Sequence, residues 1–441
     1  MSAQDRAGLK ARRMAVDLLS AVMTDRRPFD DALERIGAED RYASIEPRDR
    51  AFARAIAATA LRRHGQLADI IKRFIEKPLP EKRGRLDAIL LCAAAQLVFL
   101  KSPPHAVINL SVFQVQDDPQ ARRFSRLANA VLRRVSEQGA TLAAQQDAGK
   151  LNTPDWLWQS WSHSFGPDEA ERIAAQHLRE PPLDLTVKSD AEDWARQLGG
   201  VVLPTGSVRL AAKGRIEELA GFSEGEWWVQ DAGASLPAKF LGEVAGKRVA
   251  DLCAAPGGKT AQLAHAGALV VAIDSSAKRL ERLKDNLARL RLDAEIVTAD
   301  ALNWQPEEPL DAVLLDAPCS ATGTIRRNPD IPYLKRPSDI NELSRLQQNM
   351  LGNAMAMLKP GGVLVYCTCS LEAAEGPDQI ARLLAIRDDV RISPIAADEI
   401  GGRTEWIDRY GALRTLPNYL QLSDPELTGM DGFYAARLVK S

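Results

Sequence analysis

Apolar residues recur three or four positions apart through most of the first 137 residues. The clearest stretches are AVDLLSAVM (15–23), FARAIAATALRRHGQLADIIKRFI (52–75), LDAILLCAAAQLVFL (86–100) and FSRLANAVLRRV (124–135). That spacing gathers them on one helical face, so this part predicts an all-α bundle. Pro103-Pro104 separates two of its helices, because proline suits a first helical turn and not an interior. Periodicity fades in QGATLAAQQDAGKLNTP (138–154), which reads as a linker. A short tryptophan-rich helical piece follows, from PDWLWQSWSHSF to about Arg179. Pro181-Pro182 then opens strand-like text, LDLTVK, VVLPTG and VRLAA, predicting a small α+β module that ends near Gly225. From Trp227 onward the pattern alternates. KRVADLC, ALVVAID, AEIVTAD, DAVLLDA and VLVYCTCS read as strands, with helices GKTAQLAHA, AKRLERLKDNLARL and INELSRLQQNMLGNAMAML between them. Such alternation predicts a parallel sheet with crossover helices. The last helix is expected to end at KPGG, with glycine as its cap. The domain reading is 1–140 helical, 150–225 small α+β, and 226–441 α/β.

Composition adds little until the chain is divided. The 441 residues are 45% hydrophobic and 26% charged, with net charge −2. Residues 1–150 hold 26 Lys and Arg against 18 Asp and Glu, and the remainder holds 31 against 41. A basic head on an acidic body suits a polyanionic partner docking at one end. Arg122, Arg123, Arg126, Arg133 and Arg134 cluster there and are candidates for gripping phosphates. Trp156, Trp158 and Trp161 are read as packing residues rather than base-stacking platforms. The longest apolar run, Ala88–Leu100, contains Gln96 and is short of the roughly 20 residues a membrane span needs. The charged N-terminus has no apolar signal core, and five cysteines without framework spacing fit a reducing cytoplasm.

The chemistry-bearing text lies at the ends of the last domain's strands. DLCAAPGGKT (251–260) falls between strand and helix, where Pro256-Gly257-Gly258 lets backbone approach a ligand. It has neither the phosphate-loop spacing nor GxGxxG, and so fits a ligand without pyrophosphate, such as S-adenosylmethionine. Asp274, Asp300 and Asp316 close three successive strands at the sheet edge where open α/β folds bind ligands. Asp274 is the candidate for the ribose hydroxyls, and Asp300 for the adenine surroundings. DAPCS (316–320) and CTCS (367–370) follow neighbouring strands, so Cys319 and Cys369 are expected to converge. Cys92, Cys253 and Cys367 read as packing thiols. The five histidines are scattered and no second cysteine pair completes a metal set, so no metal is expected. A thiolate that adds to C6 of cytosine makes C5 nucleophilic toward a sulfonium methyl group. Asp316 is then the group for N3, and a second cysteine suits the release of the product.

The motifs DLCAAPGGKT, AIDSSAKRLERLKDNLARL, LLDAPCSATGTIRRNPDI, GGVLVYCTCS and GMDGFYAARLVK closely resemble the Sun/RsmB family of bacterial ribosomal-RNA cytosine-5 methyltransferases. PPHAVINLSV and LANAVLRR resemble the NusB-like RNA-binding domain that heads such proteins. The resemblance spans nearly the whole chain. It implies a class I methyltransferase domain, Rossmann-like, with a mostly parallel seven-stranded sheet, S-adenosylmethionine as donor, and small-subunit ribosomal RNA as substrate. It further implies a cofactor loop of Cys253, Ala254, Ala255, Pro256, Gly257, Gly258 and Lys259, completed by Asp274, Asp300 and Asp316. The family's nucleophile matches Cys369 and its release cysteine matches Cys319. DNA cytosine-5 methyltransferases use the Pro-Cys cysteine as nucleophile, so the reverse assignment stays open. A transfer-RNA enzyme of the same chemistry and a non-catalytic RNA-binding assembly factor are the competing readings, and a monomer without membrane attachment is expected. Three positions depart from the family: Pro332 where lysine is frequent, leaving Lys335 or Arg336 for any such role; Cys367 for serine; and Gly376 for asparagine.

Overall fold

A computed structural model describes residues 3–211 and 214–441, the side chains of residues 3–7 aside. The chain divides into two compact units, one running to Arg179 and including Ile325–Lys335, the other comprising Glu180–Thr324 and Arg336–Ser441.

The first unit is helical: α1 (Ala3–Met23), α2 (Phe29–Gly37), α3 (Asp40–Ala43), α4 (Pro47–Arg62), α5 (His64–Arg73), α6 (Leu86–Val98), α7 (Pro104–Asp117), α8 (Ser125–Gln145), α9 (Ala148–Asn152), α10 (Asp155–Phe165) and α11 (Pro167–His177). Helices α4, α7 and α11 begin on a proline, whose missing N–H costs nothing in a first turn. Helix α6 is buried on nearly every side, and Leu90, Ala93 and Ala94 lie in one core with Leu18 of α1, Ile56 of α4 and Leu132 of α8. Its one buried polar residue, Gln96, is accommodated because its amide donates to the Cys92 carbonyl at 2.9 Å.

Two expectations change here. The supposed linker 138–154 is helical: α8 continues to Gln145, and α9 follows with Asp147 accepting from the Lys150 N–H at 3.0 Å. Alanine and glutamine sustain the helix by propensity where little apolar surface is buried, so the periodic signal disappears while the helix does not. The tryptophan-rich α10–α11 pair also belongs to the helical unit. Trp161 is buried with its ring edge-on to His177 at 5.2 Å between centroids, while Trp156 and Trp158 are half-buried.

The second unit contains two sheets. The smaller is antiparallel, in the order β2 (Val201–Val202), β3 (Val208–Leu210), β1 (Leu183–Val187), β4 (Trp227–Val229), with α12 (Ala191–Leu198) beside it. Trp227 and Trp228 therefore close this small sheet rather than open the next. Arg209 and Asp184, both fully buried, form a two-pronged ion pair at 2.6 and 2.7 Å. Arg209 also donates to the carbonyls of Leu427 and Gly429, joining the small sheet to the C-terminal part of the same unit.

The larger sheet is built from β5 (Arg248–Leu252), β6 (Leu269–Asp274), β7 (Glu295–Thr298), β8 (Leu310–Asp316), β9 (Leu358–Thr368), β10 (Val390–Ile392), β11 (Leu413–Thr415) and β12 (Phe433–Lys440). Its order is β10-β12-β9-β8-β5-β6-β7, with β11 added on β12. Strands β5 to β9 are mutually parallel, while β10, β11 and β12 pair antiparallel. Helices α13 (Gly258–His265) and α14 (Ala277–Leu290) follow β5 and β6, and α16 (Pro337–Ala356) and α17 (Pro377–Ile386) flank β9. A short α15 (Ile331–Leu334) belongs to the helical unit. Glycine does not cap α16: Met357 does, and Lys359–Gly362 lie inside β9. There Gly361 at φ +78° lets β9 deviate, shifting the β8–β9 register between Leu310 and Ala312.

Candidate active site

The carboxyl ends of β5, β6 and β8 form the crevice where the motif residues meet. After β5 the chain reverses sharply, with Cys253 at φ +63° and Gly257 at φ +102°. A Cβ on Gly257 would stand 2.8 Å from Leu283 Cγ, so only glycine lets this turn close against α14. Asp274 ends β6 almost fully buried. Its Oδ1 accepts from the Ser276 N–H and from Arg279, both at 2.8 Å, and its Oδ2 from the Ala255 N–H at 3.3 Å. Asp300 lies beyond β7, is exposed, and accepts from the Leu302 N–H at 2.9 Å in a local turn.

One acid escaped the sequence reading. Asp251 is buried within β5; its Oδ2 accepts from Thr260 Oγ1 at 2.6 Å and its Oδ1 has no protein partner. Burial pushes its carboxyl up to about 7, with the negative charges of Asp316 and Asp274 adding to the effect. An acid buried inside a strand, immediately before the glycine turn, was the available signal. S-adenosylmethionine carries a sulfonium, an ammonium and a ribose diol. The unpaired Asp251 oxygen among further carboxylates, beside a turn stripped of side chains, fits such a cation.

Lys259, at the start of α13, donates to Asp316 Oδ2 at 2.7 Å and sits over the Phe433 ring at 5.3 Å. Burial is the largest single influence and acts to lower its pKa, but the charge of Asp316, the hydrogen bond to it and the other acidic groups nearby together outweigh burial and hold the ammonium above its ordinary range. Cys367 Sγ stands 3.6 Å from Asp316 Oδ1. Burial, then the Asp316 charge, raises this thiol well above its ordinary range. Cys367 thus supplies a weak donor where serine would supply a hydroxyl. Cys253 is likewise pushed up by burial, to about 12, and Cys92 is buried in the helical core.

Cys319 and Cys369 do converge. Strands β8 and β9 are parallel neighbours that pair Asp316 with Cys367, and each cysteine lies a few residues beyond. Their sulfurs are 3.5 Å apart, and both residues remain partly accessible. The hydrogen bond to Cys369 is the foremost cause that lifts the Cys319 thiol well above its ordinary range, followed by burial and the charges of Cys369 and Glu375. The Cys369 carbonyl accepts from the Gly323 N–H at 2.9 Å. A Cβ on Gly323 would stand 2.1 Å from the Gly432 carbonyl oxygen, so the ATG and GMDG segments interlock through bare backbone.

Most of the remaining candidates belong to the helical unit. Arg122, Arg123, Arg126, Arg133 and Arg134 are exposed on α8 and the turn before it, with Arg123 donating to the Lys82 carbonyl at 2.7 Å. Pro332 and Lys335 lie in the helical unit, and the Arg336 N–H is capped by Asp339 at the start of α16. Gly376 has a physical reason: a Cβ there would approach Arg414 Nη2 to 2.7 Å. Among the described residues no group of three or more His, Cys, Asp or Glu could hold a metal ion, and no helix is long and apolar enough to cross a membrane.

A parallel sheet turned antiparallel at one edge, carrying a glycine turn and acids at its carboxyl end, defines a class I S-adenosylmethionine-dependent methyltransferase. The model for 16S rRNA methyltransferase RsmB/F matches residues 238–439, and that for the NusB family matches residues 9–137. The chain is 35% identical over 450 residues to ribosomal RNA small subunit methyltransferase B of Vibrio vulnificus, covering 98% of this chain and 100% of the relative. To the Vibrio cholerae protein of that name it is 37% identical over 366 residues, covering 79% and 84%. Among solved structures, that of PH0851 superposes with a TM-score of 0.74 at 23% identity, covering 98% and 99%, which supports the fold. The chain belongs to the RsmB (Sun) family of RNA methyltransferases, and S-adenosylmethionine is its methyl donor.

Proposed function

We propose that this protein methylates C5 of a cytosine in small-subunit ribosomal RNA through a covalent bond between Cys369 Sγ and C6 of the base. The observation that carries the reading is the pair of sulfurs 3.5 Å apart, beside the Lys259–Asp316 ion pair. Addition of the Cys369 thiolate to C6 pushes electron density onto C5 and toward N3. Asp316 passes a proton to N3 as negative charge builds there and is resupplied by the Lys259 ammonium that donates to it. S-adenosylmethionine, when bound, supplies an electrophilic methyl group for C5. Asp251, Asp274 and the Cys253–Lys259 loop hold it, and Asp300 extends the site on the adenine side.

The release step follows from the same pair. While Cys369 is a thiolate, its hydrogen bond and charge keep the proton on Cys319. Once Cys369 is tied up as a thioether, both influences vanish, and the Cys319 thiol gives its proton to solvent, leaving a thiolate to act as the base. It takes the C5 proton, electrons return to the ring, and the C6–S bond breaks. Exposed arginines of the helical unit supply the phosphate contacts.

The test is Cys319→Ala, which is expected to accumulate a protein–RNA adduct stable on denaturing gels, while Cys369→Ala forms none. Adduct in the Cys369 variant instead would reverse the roles, and adduct in neither would remove the covalent reading. Bisulfite sequencing of ribosomal and transfer RNA from a deletion strain then names the base, and a signal lost only from transfer RNA would overturn the substrate.

A further inference from the structure

A buried carboxylate outside the reacting cluster touches both cysteine loops. Glu375 lies in the 3₁₀ turn after β9 and is fully buried. Its Oε1 accepts from the Ser320 N–H at 2.9 Å and from Gln347 Nε2 at 3.0 Å. Its Oε2 accepts from Ser370 Oγ at 2.6 Å and from Ser320 Oγ. Ser320 and Ser370 directly follow Cys319 and Cys369, and their own hydroxyls are 3.1 Å apart. Gln347 Nε2 also donates to the Pro318 carbonyl at 2.9 Å, on the other side of Cys319. The Glu375 carbonyl in turn accepts from Tyr366 Oη at 2.8 Å and Thr368 Oγ1 at 3.1 Å, both on β9. One side chain therefore spans two loops separated by 50 residues of sequence, next to both sulfurs. Burying a carboxylate is costly unless its acceptor sites are filled, and here four donors fill them.

We infer that Glu375 is a positioning residue for methyl transfer, a clasp that sets the distance between the Cys319 and Cys369 sulfurs. This rests on the reaction proposed above, because both sulfurs must address one base. An alanine leaves the Ser320 N–H and the Gln347 amide without their acceptor. The loops then remain joined through the two serine hydroxyls, through the Gly323 N–H on the Cys369 carbonyl and through the Leu371 N–H on Thr322 Oγ1, none of which holds the Ser320 N–H. Glutamine preserves the clasp: its carbonyl replaces Oε1, and its amide donates to the serine oxygens, which can accept.

The experiment uses the full-length chain and three readouts: S-adenosylmethionine affinity, single-turnover methyl transfer to RNA, and closure of a Cys319–Cys369 disulfide by diamide, mapped by peptide mass spectrometry. In that closure the two thiols give two electrons and two protons to diamide, which is reduced to the hydrazine, so its rate measures sulfur spacing without RNA. Because a misplacement of about 1 Å costs about 100-fold in rate, Glu375→Ala is expected to slow methyl transfer about 100-fold and disulfide closure about 10-fold, with cofactor affinity within about 2-fold. Glu375→Gln is expected to restore both rates to within about 5-fold of the parent. Closure and transfer that both stay within about 3-fold in Glu375→Ala overturn the clasp, as does loss of transfer with closure unchanged. Should that variant fail to fold, Ser320→Ala combined with Ser370→Ala decides: slowed closure supports the clasp and unchanged closure overturns it. A parent protein that closes its disulfide normally yet methylates no RNA cytosine refutes the proposed reaction and leaves the clasp standing.

Discussion

Cys319 Sγ lies 3.5 Å from Cys369 Sγ, and that one contact makes two chemically identical side chains unequal. The hydrogen bond to Cys369, followed by burial, holds the Cys319 thiol well above its ordinary range. Removing the neighbour should release it. In Cys369→Ala the hydrogen bond and the charge are gone, so the Cys319 thiolate fraction at pH 8 rises. Alkylation of Cys319 by iodoacetamide, followed by peptide mass spectrometry, is expected to accelerate about 10-fold over the parent. An unchanged rate would show that burial alone governs this thiol and would undercut the release step.

Asp251 gives a pH dependence of opposite origin. Its carboxyl is raised to about 7 by burial, so the free protein holds a proton there across mildly acidic pH. A cationic ligand facing its unpaired oxygen needs the ionised form, and binding then expels that proton. The sign follows: S-adenosylmethionine affinity should rise with pH, by up to about 10-fold per unit below 7, and level off above it. Titration calorimetry in buffers of different ionisation enthalpy is expected to detect close to one proton released at pH 6. Asp251→Asn should weaken binding and flatten the profile. Lys259, Asp274 and Asp316 are the other charged groups near Asp251, and a slope that survives in the variant would move the effect to them.

What could be read from the sequence was what is local in sequence. The strand–turn–helix text around Gly257 and the acid at Asp274 announced themselves, because a glycine turn after an apolar run has few other uses. The meeting of Cys319 with Cys369 followed from two strand ends in one parallel sheet. Asp251 and Glu375 did not show: one is disguised as a strand residue, the other sits in EAAEGPDQI, a tract with the look of a solvated surface. The end of α8 was missed because its last turns bury little. The placement of Ile325–Lys335 among the N-terminal helices depends on contacts some 300 residues apart, which no periodicity encodes.

Gly376 answers a question that the family comparison raised. What the position lacks is space. A Cβ would press within 2.7 Å of Arg414 Nη2, and the same guanidinium donates through Nη1 to the Ser370 carbonyl at 2.7 Å. Gly376→Asn is therefore expected to displace Arg414 and to lower unfolding free energy by about 1–3 kcal/mol, as overpacking does. Methyl transfer should fall with it, since the displaced strut supports the loop after Cys369. Thermal melting checks the first effect and single-turnover kinetics the second. Equal melting temperatures for variant and parent would mean that Arg414 moves aside freely.

Asp330 offers the sharpest test of why eleven residues after the Cys319 loop belong to the helical unit. The chain leaves the catalytic unit at Thr324 and returns at Arg336. Within the helical unit, Asp330 Oδ2 accepts from the Phe29 N–H at 2.8 Å, at the start of α2. Tyr333 Oη donates to the Leu61 carbonyl at 2.8 Å, and Arg62 donates to the Arg326 carbonyl at 2.9 Å. Asp330 is nearly inaccessible and Phe29 is buried, so Asp330→Ala leaves an N–H without a partner or water. That loss is expected to cost about 1–3 kcal/mol, against about 1 kcal/mol for Tyr333→Phe, whose lost partner is a carbonyl with a second lone pair. Asp330→Asn retains an acceptor oxygen and should recover most of the difference. Hydrogen exchange at the Phe29 amide is the direct readout. Faster exchange in Asp330→Ala but not in Asp330→Asn is the expected pattern, and equal exchange in both would mean that the segment is held by its apolar contacts alone.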